Sequence, residues 1–336
     1  MKKVLPIKIF LVCCIVAITS KSIAQDPHFS QYYSSEATTN PAFTGLYKGQ
    51  YKISGLYRQQ WPQFGQPFVS GLITAEMKLK AEDENYFGGI WSAGVSVLYD
   101  KTPEDVFKST LVMAHLAYQI PLDENGYHTL SAGVMGGYGQ RRINTQSLTF
   151  GSQFTPDGFD TNIPSGEIIT ATQQNYWDVN AGLVYTYENE NNLLYGGASV
   201  YHITQPKISF LQNNKTQNKL PMRYNIQAGF NVSSESLQYA GSVLYMQQGG
   251  ANYIYAGVAV GFPFGTEDGI VYTGLWWRKE EALVPAIQLQ YHAFNIGISY
   301  DVPSTRQTFT RPKSMELSMS YRFSKLKDYG TRCPRL

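Results

Sequence analysis

The sequence predicts an all-β protein, namely a transmembrane, antiparallel, up-and-down β-barrel of about fourteen strands with an N-terminal plug-like segment. Three observations support this fold class. The first 24 residues are predicted to be a secretory leader, about fourteen later stretches alternate apolar and polar residues, and each stretch is roughly ten residues long. Successive side chains of a strand point to opposite faces, so each stretch separates an apolar surface from a polar one. Strands of about ten residues can cross a bilayer at a tilt, whereas strands of globular proteins average about five to six.

Residues 1–24 have the three parts of a secretory signal peptide. Three lysines precede or flank the start of an apolar run over residues 9–18, and the small residues Ser22 and Ala24 form a cleavage pattern. The apolar run is too short for a membrane helix, which needs about 20 residues. We therefore expect the mature chain to begin at Asp26 or one residue earlier.

The composition of the mature chain argues against several classes of protein. Removing the four lysines of the leader from the 27 basic residues leaves 23, against 25 acidic residues. A nucleic-acid partner is not expected, because such proteins need a basic surface. One cysteine, Cys333, remains after the leader, which excludes an internal disulfide framework. A soluble β-sandwich could share this composition, and strand length is what favours the membrane.

The alternating stretches occupy residues 49–323, which we assign to the barrel. The last of them shows the pattern clearly, because Met315 and Leu317 share one face while Glu316 and Ser318 share the other. The number fourteen fits bacterial barrels, which have even strand counts. The predicted strands are 49–58, 67–79, 89–100, 107–120, 127–142, 176–187, 191–203, 221–233, 238–248, 252–263, 268–277, 282–292, 293–301 and 314–323.

Loop lengths predict the orientation of the barrel. If the chain starts in the periplasm, connections after odd strands face outward and should be the longer ones. The stretches 143–175, 204–220 and 302–313 follow the fifth, seventh and thirteenth predicted strands and obey this rule. The connection 80–88 is a longish inner turn that fits less well. Both chain ends are then expected in the periplasm, where residues 324–336 would form a basic tail.

Residues 25–48 are predicted to form a separate N-terminal segment. Pro27 and Pro41 lack a backbone N–H and disfavour regular strand pairing. Aromatic side chains such as Phe29 and Phe43 need a surface to cover them. We expect this segment to fold into the periplasmic mouth or the lumen as a partial plug, and a disordered leader is the alternative.

Several motifs are too distinctive for generic strands. They are Asp26-Pro27-His28-Phe29-Ser30-Gln31-Tyr32-Tyr33, Thr39-Asn40-Pro41-Ala42-Phe43-Thr44-Gly45, Tyr57-Arg58-Gln59-Gln60-Trp61-Pro62 and, at the far end, Tyr321-Arg322-Phe323 with Cys333-Pro334-Arg335. Together they resemble the PorP/SprF family of type IX secretion and gliding-associated outer-membrane proteins. The resemblance covers the whole mature chain, and the two N-terminal motifs are its most specific part.

The resemblance implies a Bacteroidota-type outer-membrane barrel that serves protein secretion without catalysing a reaction. The implied partners are a secreted cargo protein with a C-terminal signal domain, translocon or periplasmic ring components of the type IX apparatus, and outer-membrane lipid. Whether the chain serves the core apparatus or one dedicated cargo stays open. The candidate partner or plug residues are Asp26, Pro27, His28, Phe29, Gln31, Tyr32, Asn40, Pro41, Phe43, Gly45, Arg58, Gln60, Trp61 and Pro62, with Cys333 and Pro334 in the tail.

Two of these positions have competing interpretations. Trp61, next to Pro62, is expected at the outer rim, where an interfacial belt residue and a cargo contact are equally compatible with the sequence. Cys333 could form an intermolecular disulfide or a lipid-linked contact, or it could remain a free thiol in a small tail.

No catalytic, metal or cofactor site is predicted, and we expect no enzyme. Nothing in the sequence places serine, histidine and aspartate side chains together. The histidines lie in separate segments without metal-ligand spacing; they are His28, His115, His128, His202 and His292. A cluster of glycines resembles a nucleotide loop only superficially, and on a strand it would permit curvature or leave room for a plug: Gly133, Gly136, Gly137 and Gly139.

Two other functions compete with secretion. The first is an outer-membrane channel for small solutes, and the second is a structural barrel that tethers the membrane to a periplasmic ring. Polar side chains would line an aqueous lumen under any of these functions: Asp178, Asn180, Asn225, Gln227, Asn231, Asn295, Glu316 and Arg322. We favour secretion because the N-terminal motifs resemble a secretion family and not a porin family.

Overall fold

A computed structural model describes the chain in nine stretches: 26–79, 89–145, 148–160, 162–166, 171–210, 219–234, 236–265, 269–304 and 313–323. Within them, fourteen antiparallel strands form a closed barrel, which confirms the predicted fold class. Each strand pairs with its neighbours in the sequence, and the first strand pairs with the last. The predicted signal peptide, the tail 324–336 and the connection 80–88 lie outside the described residues.

The barrel strands correspond one to one with the predicted alternating stretches. The largest departure is at the sixth strand, which begins at Gln173 whereas the sequence predicts 176. The strands are β1 (Tyr51–Gln60), β2 (Phe68–Lys78), β3 (Ile90–Lys101), β4 (Phe107–Pro121), β5 (His128–Ile143), β6 (Gln173–Glu188), β7 (Asn192–Tyr201), β8 (Arg223–Ser233), β9 (Gln238–Gln248), β10 (Ala251–Phe264), β11 (Gly269–Arg278), β12 (Ala282–Tyr291), β13 (Phe294–Pro303) and β14 (Ser314–Phe323). A short hairpin, Phe154–Thr155 with Gly158–Phe159, lies between β5 and β6.

The two ends of the barrel differ in their connections. The connections after odd-numbered strands include 144–172, 202–222 and 304–313, so we call this the long-loop end. The opposite end is the short-turn end, where β1 begins and β14 finishes. The closing seam pairs Tyr51 with Phe323 at the short-turn end and Gln60 with Ser314 at the long-loop end.

The alternation of the sequence separates the two faces of the wall. Outward-facing Ile73, Ile226 and Ile287 are 59–64% exposed, as a lipid-facing surface requires. The intervening polar side chains, for example Ser131 and Asn180, point inward and are fully buried. Among the described residues, no helix is both long and apolar enough to cross a membrane.

The lumen is occupied by the chain's own N-terminal segment, residues 26–50. This segment contains one helical turn, α1 (Glu36–Thr39), flanked by 3₁₀ turns at Tyr32–Ser34 and Pro41–Phe43. It has no strand, in keeping with its prolines, and most of its side chains are buried. Among the described residues, many inward polar side chains of the wall are therefore buried against this segment and are not exposed to an aqueous lumen.

Candidate functional site: a filled barrel lumen

The N-terminal segment runs through the lumen from one end of the barrel to the other. Its first described residue, Asp26, donates its backbone N–H to Oε1 of Gln248, the last residue of β9 at the long-loop end, at 3.2 Å. Its last part leads into β1 at the short-turn end, where the Tyr47 hydroxyl donates to the Gln50 carbonyl at 3.1 Å. The sequence predicted a location in the mouth or lumen, and it did not predict that the segment begins at the long-loop end.

Asp26 lies in a cage of cationic side chains. Its Oδ2 atom is 2.5 Å from His202 Nε2 and 3.1 Å from Arg223 Nη1, and its Oδ1 atom is 4.0 Å from Arg141 Nη2. Gln248 Nε2 also donates to Oδ2 at 3.3 Å. These partners come from β5, β8, β9 and the residue after β7, so one carboxylate holds four parts of the wall together.

The charges of this cage shift the protonation of its members. Burial would raise the pKa of Asp26, but the nearby charges of His202, Arg223 and Arg141 hold that pKa well below its usual range. Burial would likewise lower the pKa of His202, but Asp26 and a hydrogen bond with Asp178 outweigh it and raise the pKa to about 9. His202 is therefore a cation at neutral pH, and its Nδ1 atom lies 2.9 Å from Asp178 Oδ2.

A second ionic cluster holds Ser30 and Gln31 against the closing seam. The Glu316 carboxylate accepts the backbone N–H groups of Ser30 at 2.6 Å and Gln31 at 2.7 Å. Arg58 forms an ion pair with Glu316 and places its Nη2 atom 2.8 Å from Asp301 Oδ2. Because Arg58 and Glu316 are direct partners across the β1–β14 pair, the plug is attached where the barrel closes.

Arg278 completes this second cluster. Its Nη2 atom is 2.9 Å from Asp301 Oδ2, and its Nη1 atom donates to the Ser30 hydroxyl at 2.9 Å. The Ser30 hydroxyl in turn donates to Asp301 Oδ1 at 2.8 Å. Buried charges are tolerated only when they are paired and hydrogen-bonded, and each charged group of this cluster has such partners.

The neighbouring aromatic residues of the segment fill the lumen beside these clusters. His28 packs against Tyr253, with 5.0 Å between ring centroids, and burial and the charges of Arg278 and Arg58 lower its pKa to about 3. Phe29 is 2% exposed and packs in an apolar cluster with Leu56 and Leu72. Pro27 lines a cavity described below.

Tyr32 anchors the segment on the opposite wall. Its hydroxyl lies 2.7 Å from the Ser242 hydroxyl, and its ring makes an edge contact with Tyr255 at 5.5 Å. The Gln31 amide bridges the adjacent strands, donating to Ser299 Oγ at 3.1 Å and accepting from the Ser318 hydroxyl at 2.7 Å. The adjacent residues Gln31 and Tyr32 thus attach the segment to two different parts of the wall, β13–β14 and β9.

Asn40 forms the central latch of the plug. This fully buried side chain donates to the carbonyls of Leu183 and Ala198, at 3.0 and 3.2 Å, and accepts the Ala42 N–H at 2.9 Å. The wall makes room for it with glycine, because a Cβ atom at Gly182 would lie 2.0 Å from Asn40 Oδ1. Small wall residues of this kind mark a close approach of two backbones.

The residues after Asn40 continue the contact toward the short-turn end. The carbonyl of Ala42 accepts the Ser131 hydroxyl at 2.6 Å, and a Cβ atom at Gly133 would lie 2.5 Å from the Pro41 backbone. Phe43 makes an edge contact with Tyr195 at 5.7 Å between ring centroids. Gly45, which lies further along the segment toward β1, packs against Ser92 of β3.

Three of the predicted site residues lie elsewhere. Gln60 ends β1, and Trp61 and Pro62 follow it in the connection at the long-loop end. Trp61 is 40% exposed, and its backbone N–H donates to the Lys313 carbonyl at 2.8 Å. The structure therefore does not bring Gln60, Trp61 and Pro62 together with the predicted site residues in the lumen. Cys333 and Pro334 lie outside the described residues.

The sequence identified Arg58 and Glu316 among the wall residues that bind the plug, but it did not identify most of the others. Arg141, Arg223, Arg278 and His202 are isolated charges on different strands or connections, and only the closed barrel brings them together. An available signal was their inward position, since a buried cation on the lumen face needs a partner. Among the described residues, no group of histidine, cysteine, aspartate or glutamate side chains is arranged to hold a metal ion.

Cavities lie on both sides of the plug. One of about 920 Å³ opens beside Tyr33, Lys52 and Arg322 toward the short-turn end, and we call it the short-turn cavity. Another of about 520 Å³ lies beside Asp26 toward the long-loop end, and we call it the long-loop cavity. Thr39 lines the first and Thr38 the second, so α1 lies between them.

Two solved structures of toluene transporters share this barrel fold. TbuX of Ralstonia pickettii aligns with a TM-score of 0.50 and 10% identity, over 86% of this chain and 94% of that one. TodX of Pseudomonas putida aligns with a TM-score of 0.50 and 9% identity, over 90% of this chain and 94% of that one. At such low identity the likeness shows the fold alone. None of the curated proteins compared with the chain matches it.

A family model identifies the chain more specifically. The model of the type IX secretion system membrane protein PorP/SprF matches residues 21–321, which include the whole N-terminal segment and nearly all of the barrel. The motifs singled out in the sequence fall largely within this range. The chain therefore belongs to the PorP/SprF family of type IX secretion system membrane proteins.

Proposed function

We propose that this chain is an outer-membrane component of the type IX secretion system that binds cargo with a C-terminal signal domain and supports its export and surface attachment. The observation that carries this proposal is the family match over residues 21–321. A closed β-barrel of this family fits an outer-membrane location. Components of the secretion apparatus are the corresponding proposed partners.

The filled lumen supports a role that depends on protein partners. The plug is fixed to the wall by two ionic clusters, around Asp26 and Ser30, and by the Asn40 latch. Two separate cavities lie beside these contacts, one toward each end of the barrel. The family and the fold are those of a secretion or transport barrel and not of a known enzyme class, and we infer that the chain acts without catalysis.

We further propose that exposed aromatic side chains at the long-loop end contact a protein partner. Trp61 and Phe64 are 40% and 53% exposed in the connection after β1. Phe154 and Phe159, on the short hairpin between β5 and β6, are 64% and 55% exposed. Aromatic residues are enriched in protein interfaces, although they also form the interfacial belts of membrane barrels.

Affinity purification in mild detergent, followed by mass spectrometry, tests the proposal. We expect the wild-type barrel to retain a protein with a C-terminal signal domain and Trp61→Ala/Phe64→Ala to retain several-fold less of it. Trp91→Ala, which removes a 47% exposed aromatic side chain near the short-turn end, is the matched control and should retain the wild-type amount. If the purified wild-type barrel retains neither a protein with a C-terminal signal domain nor a component of the secretion apparatus, the proposed function is wrong.

A channel for small solutes is the second candidate function. The observation that favours it is the pair of cavities on either side of α1, and this function requires the segment to move so that they connect. This function predicts solute uptake without any protein partner. Uptake that is equal in cells with and without the barrel would exclude it.

A further inference from the structure

The long-loop cavity has the make-up of a binding site for a small amphipathic molecule. It lies between the plug and strands β3–β8, and its volume is about 520 Å³. One part of its wall is apolar, formed by Leu98, Leu111 and Met113. Ligand sites in proteins are mostly apolar and carry a few polar or charged groups that fix orientation.

The charged groups of this cavity converge on one point. Arg223 and Arg141 face it, and the ring of Tyr201 lies 4.2 Å from the Arg223 guanidinium carbon while Tyr176 lies 5.5 Å from that of Arg141. These rings hold the guanidinium groups in place by cation–π contacts. Both arginines are buried, and their Nε atoms have no hydrogen-bond partner among the described residues.

The point on which these groups converge is occupied by Asp26. Its carboxylate accepts from Arg223, His202 and Gln248, as described above. Two planar guanidinium groups and an imidazolium around one carboxylate form a receptor for a carboxylate group. The occupant belongs to the N-terminal segment and not to a wall strand.

The charge balance of the cavity depends on this one residue. Asp26, Asp100 and Asp178 face the cations Arg141, Arg223 and His202. Asp178 is engaged by His202 at 2.9 Å, and Asp100 accepts the Ser70 hydroxyl at 2.5 Å. If Asp26 leaves, one buried positive charge has no counter-ion, and burying such a charge is strongly unfavourable.

We propose that the long-loop cavity binds a small monocarboxylate with an apolar body, and that Asp26 occupies the carboxylate position when no ligand is bound. The ligand's carboxylate would take the place of Asp26 between Arg223, Arg141 and His202. Its apolar body would lie against Leu98, Leu111 and Met113. This site is independent of the cargo function, because it is built inside the barrel.

Hexanoate binding to the full-length mature barrel in a non-ionic detergent tests this proposal. Saturation-transfer NMR titrations would compare hexanoate with hexanamide, which has the same apolar body without the charge. We expect Asp26→Ala to bind hexanoate at least ten-fold more tightly than the wild type, because the internal competitor is gone. Hexanamide should bind weakly to both.

A second substitution distinguishes binding of hexanoate in the cavity from its partition into detergent micelles. Arg223→Gln in the Asp26→Ala background should abolish the gain in hexanoate affinity. Equal binding of hexanoate and hexanamide, an unchanged affinity in Asp26→Ala, or a gain that survives Arg223→Gln would each overturn the proposal. If Asp26→Ala does not give a folded barrel, as judged by its heat-dependent shift on a gel, Asp26→Asn carries the same comparison.

Discussion

His202 holds its proton between two carboxylates at the long-loop end of the barrel. Asp26 Oδ2 lies 2.5 Å from its Nε2 atom, and Asp178 Oδ2 lies 2.9 Å from its Nδ1 atom. The pKa of His202 is consequently about 9 in the folded protein, against 6.5 for the free side chain. Since the folded state binds this proton more tightly, protonation stabilises the docked N-terminal segment.

We predict that docking of the segment's start weakens as the pH rises. The contribution of His202 is complete below about pH 6.5 and is lost as the pH rises through about 9. The amides of His28 and Phe29 should lose protection in hydrogen–deuterium exchange over this range, after correction for intrinsic rates. His202→Gln should show lower protection without this pH dependence. Identical wild-type protection at pH 6.5 and pH 9.5 would contradict the assignment.

Gly133 and Gly136 on β5 allow a test of the contact between plug and wall. A Cβ atom at Gly133 would lie 2.5 Å from the Pro41 backbone, whereas at Gly136 it would meet no atom within 4 Å. Gly133→Val should therefore displace the segment and destabilise the docked state by about 1–3 kcal/mol, as over-packing does. Limited proteolysis should cleave the segment in Gly133→Val and not in Gly136→Val. Equal resistance of both variants would show that the segment does not lie against this wall.

At the scale of elements, the closing seam and the plug are one structure. Arg58 on β1 pairs with Glu316 on β14, and the same Glu316 carboxylate caps the Ser30 and Gln31 amides. The plug can make these contacts only when β1 and β14 are side by side. We infer that barrel closure and docking of the segment are coupled.

We predict a large loss of stability when the seam cluster loses its central cation. Arg58→Met leaves the buried Glu316 carboxylate without its arginine, and breaking a buried pair in this way costs about 3–5 kcal/mol. Lys279→Met, which removes an exposed pair with Glu280, should cost at most about 1 kcal/mol. Urea unfolding of both variants in the same detergent measures the difference. A loss below about 1 kcal/mol for Arg58→Met would show that the cluster is not a determinant of closure.

The strands were predictable from sequence because period-two alternation depends only on neighbours along the chain. Glu316 and Ser318 fall on the inward face of β14 as the sequence predicts. The partners of Asp26 were not predictable, since His202, Arg223 and Arg141 are more than 100 residues away from it and meet it only across the closed lumen. The prolines of the segment predicted that it is no strand, but its path depends on contacts from almost all of the wall.

At the scale of the whole molecule, the barrel is a filled cylinder. Its outer surface is apolar and its inner surface is polar, and residues of the N-terminal segment form hydrogen bonds with this polar inner surface. Helical turn α1 lies between the short-turn cavity and the long-loop cavity. We therefore expect passage through the lumen to require movement of the N-terminal segment.

Ion conductance in planar bilayers tests this claim directly. The wild-type barrel should be closed, and deletion of residues 26–45 should open it to ions, because the remaining wall encloses a polar lumen. Both proteins must show the heat-dependent gel shift of a folded barrel, so that a lack of conductance is not mistaken for a lack of protein. Stable channels in the deletion variant alone are the predicted result, and equal conductance of the two proteins would contradict the account.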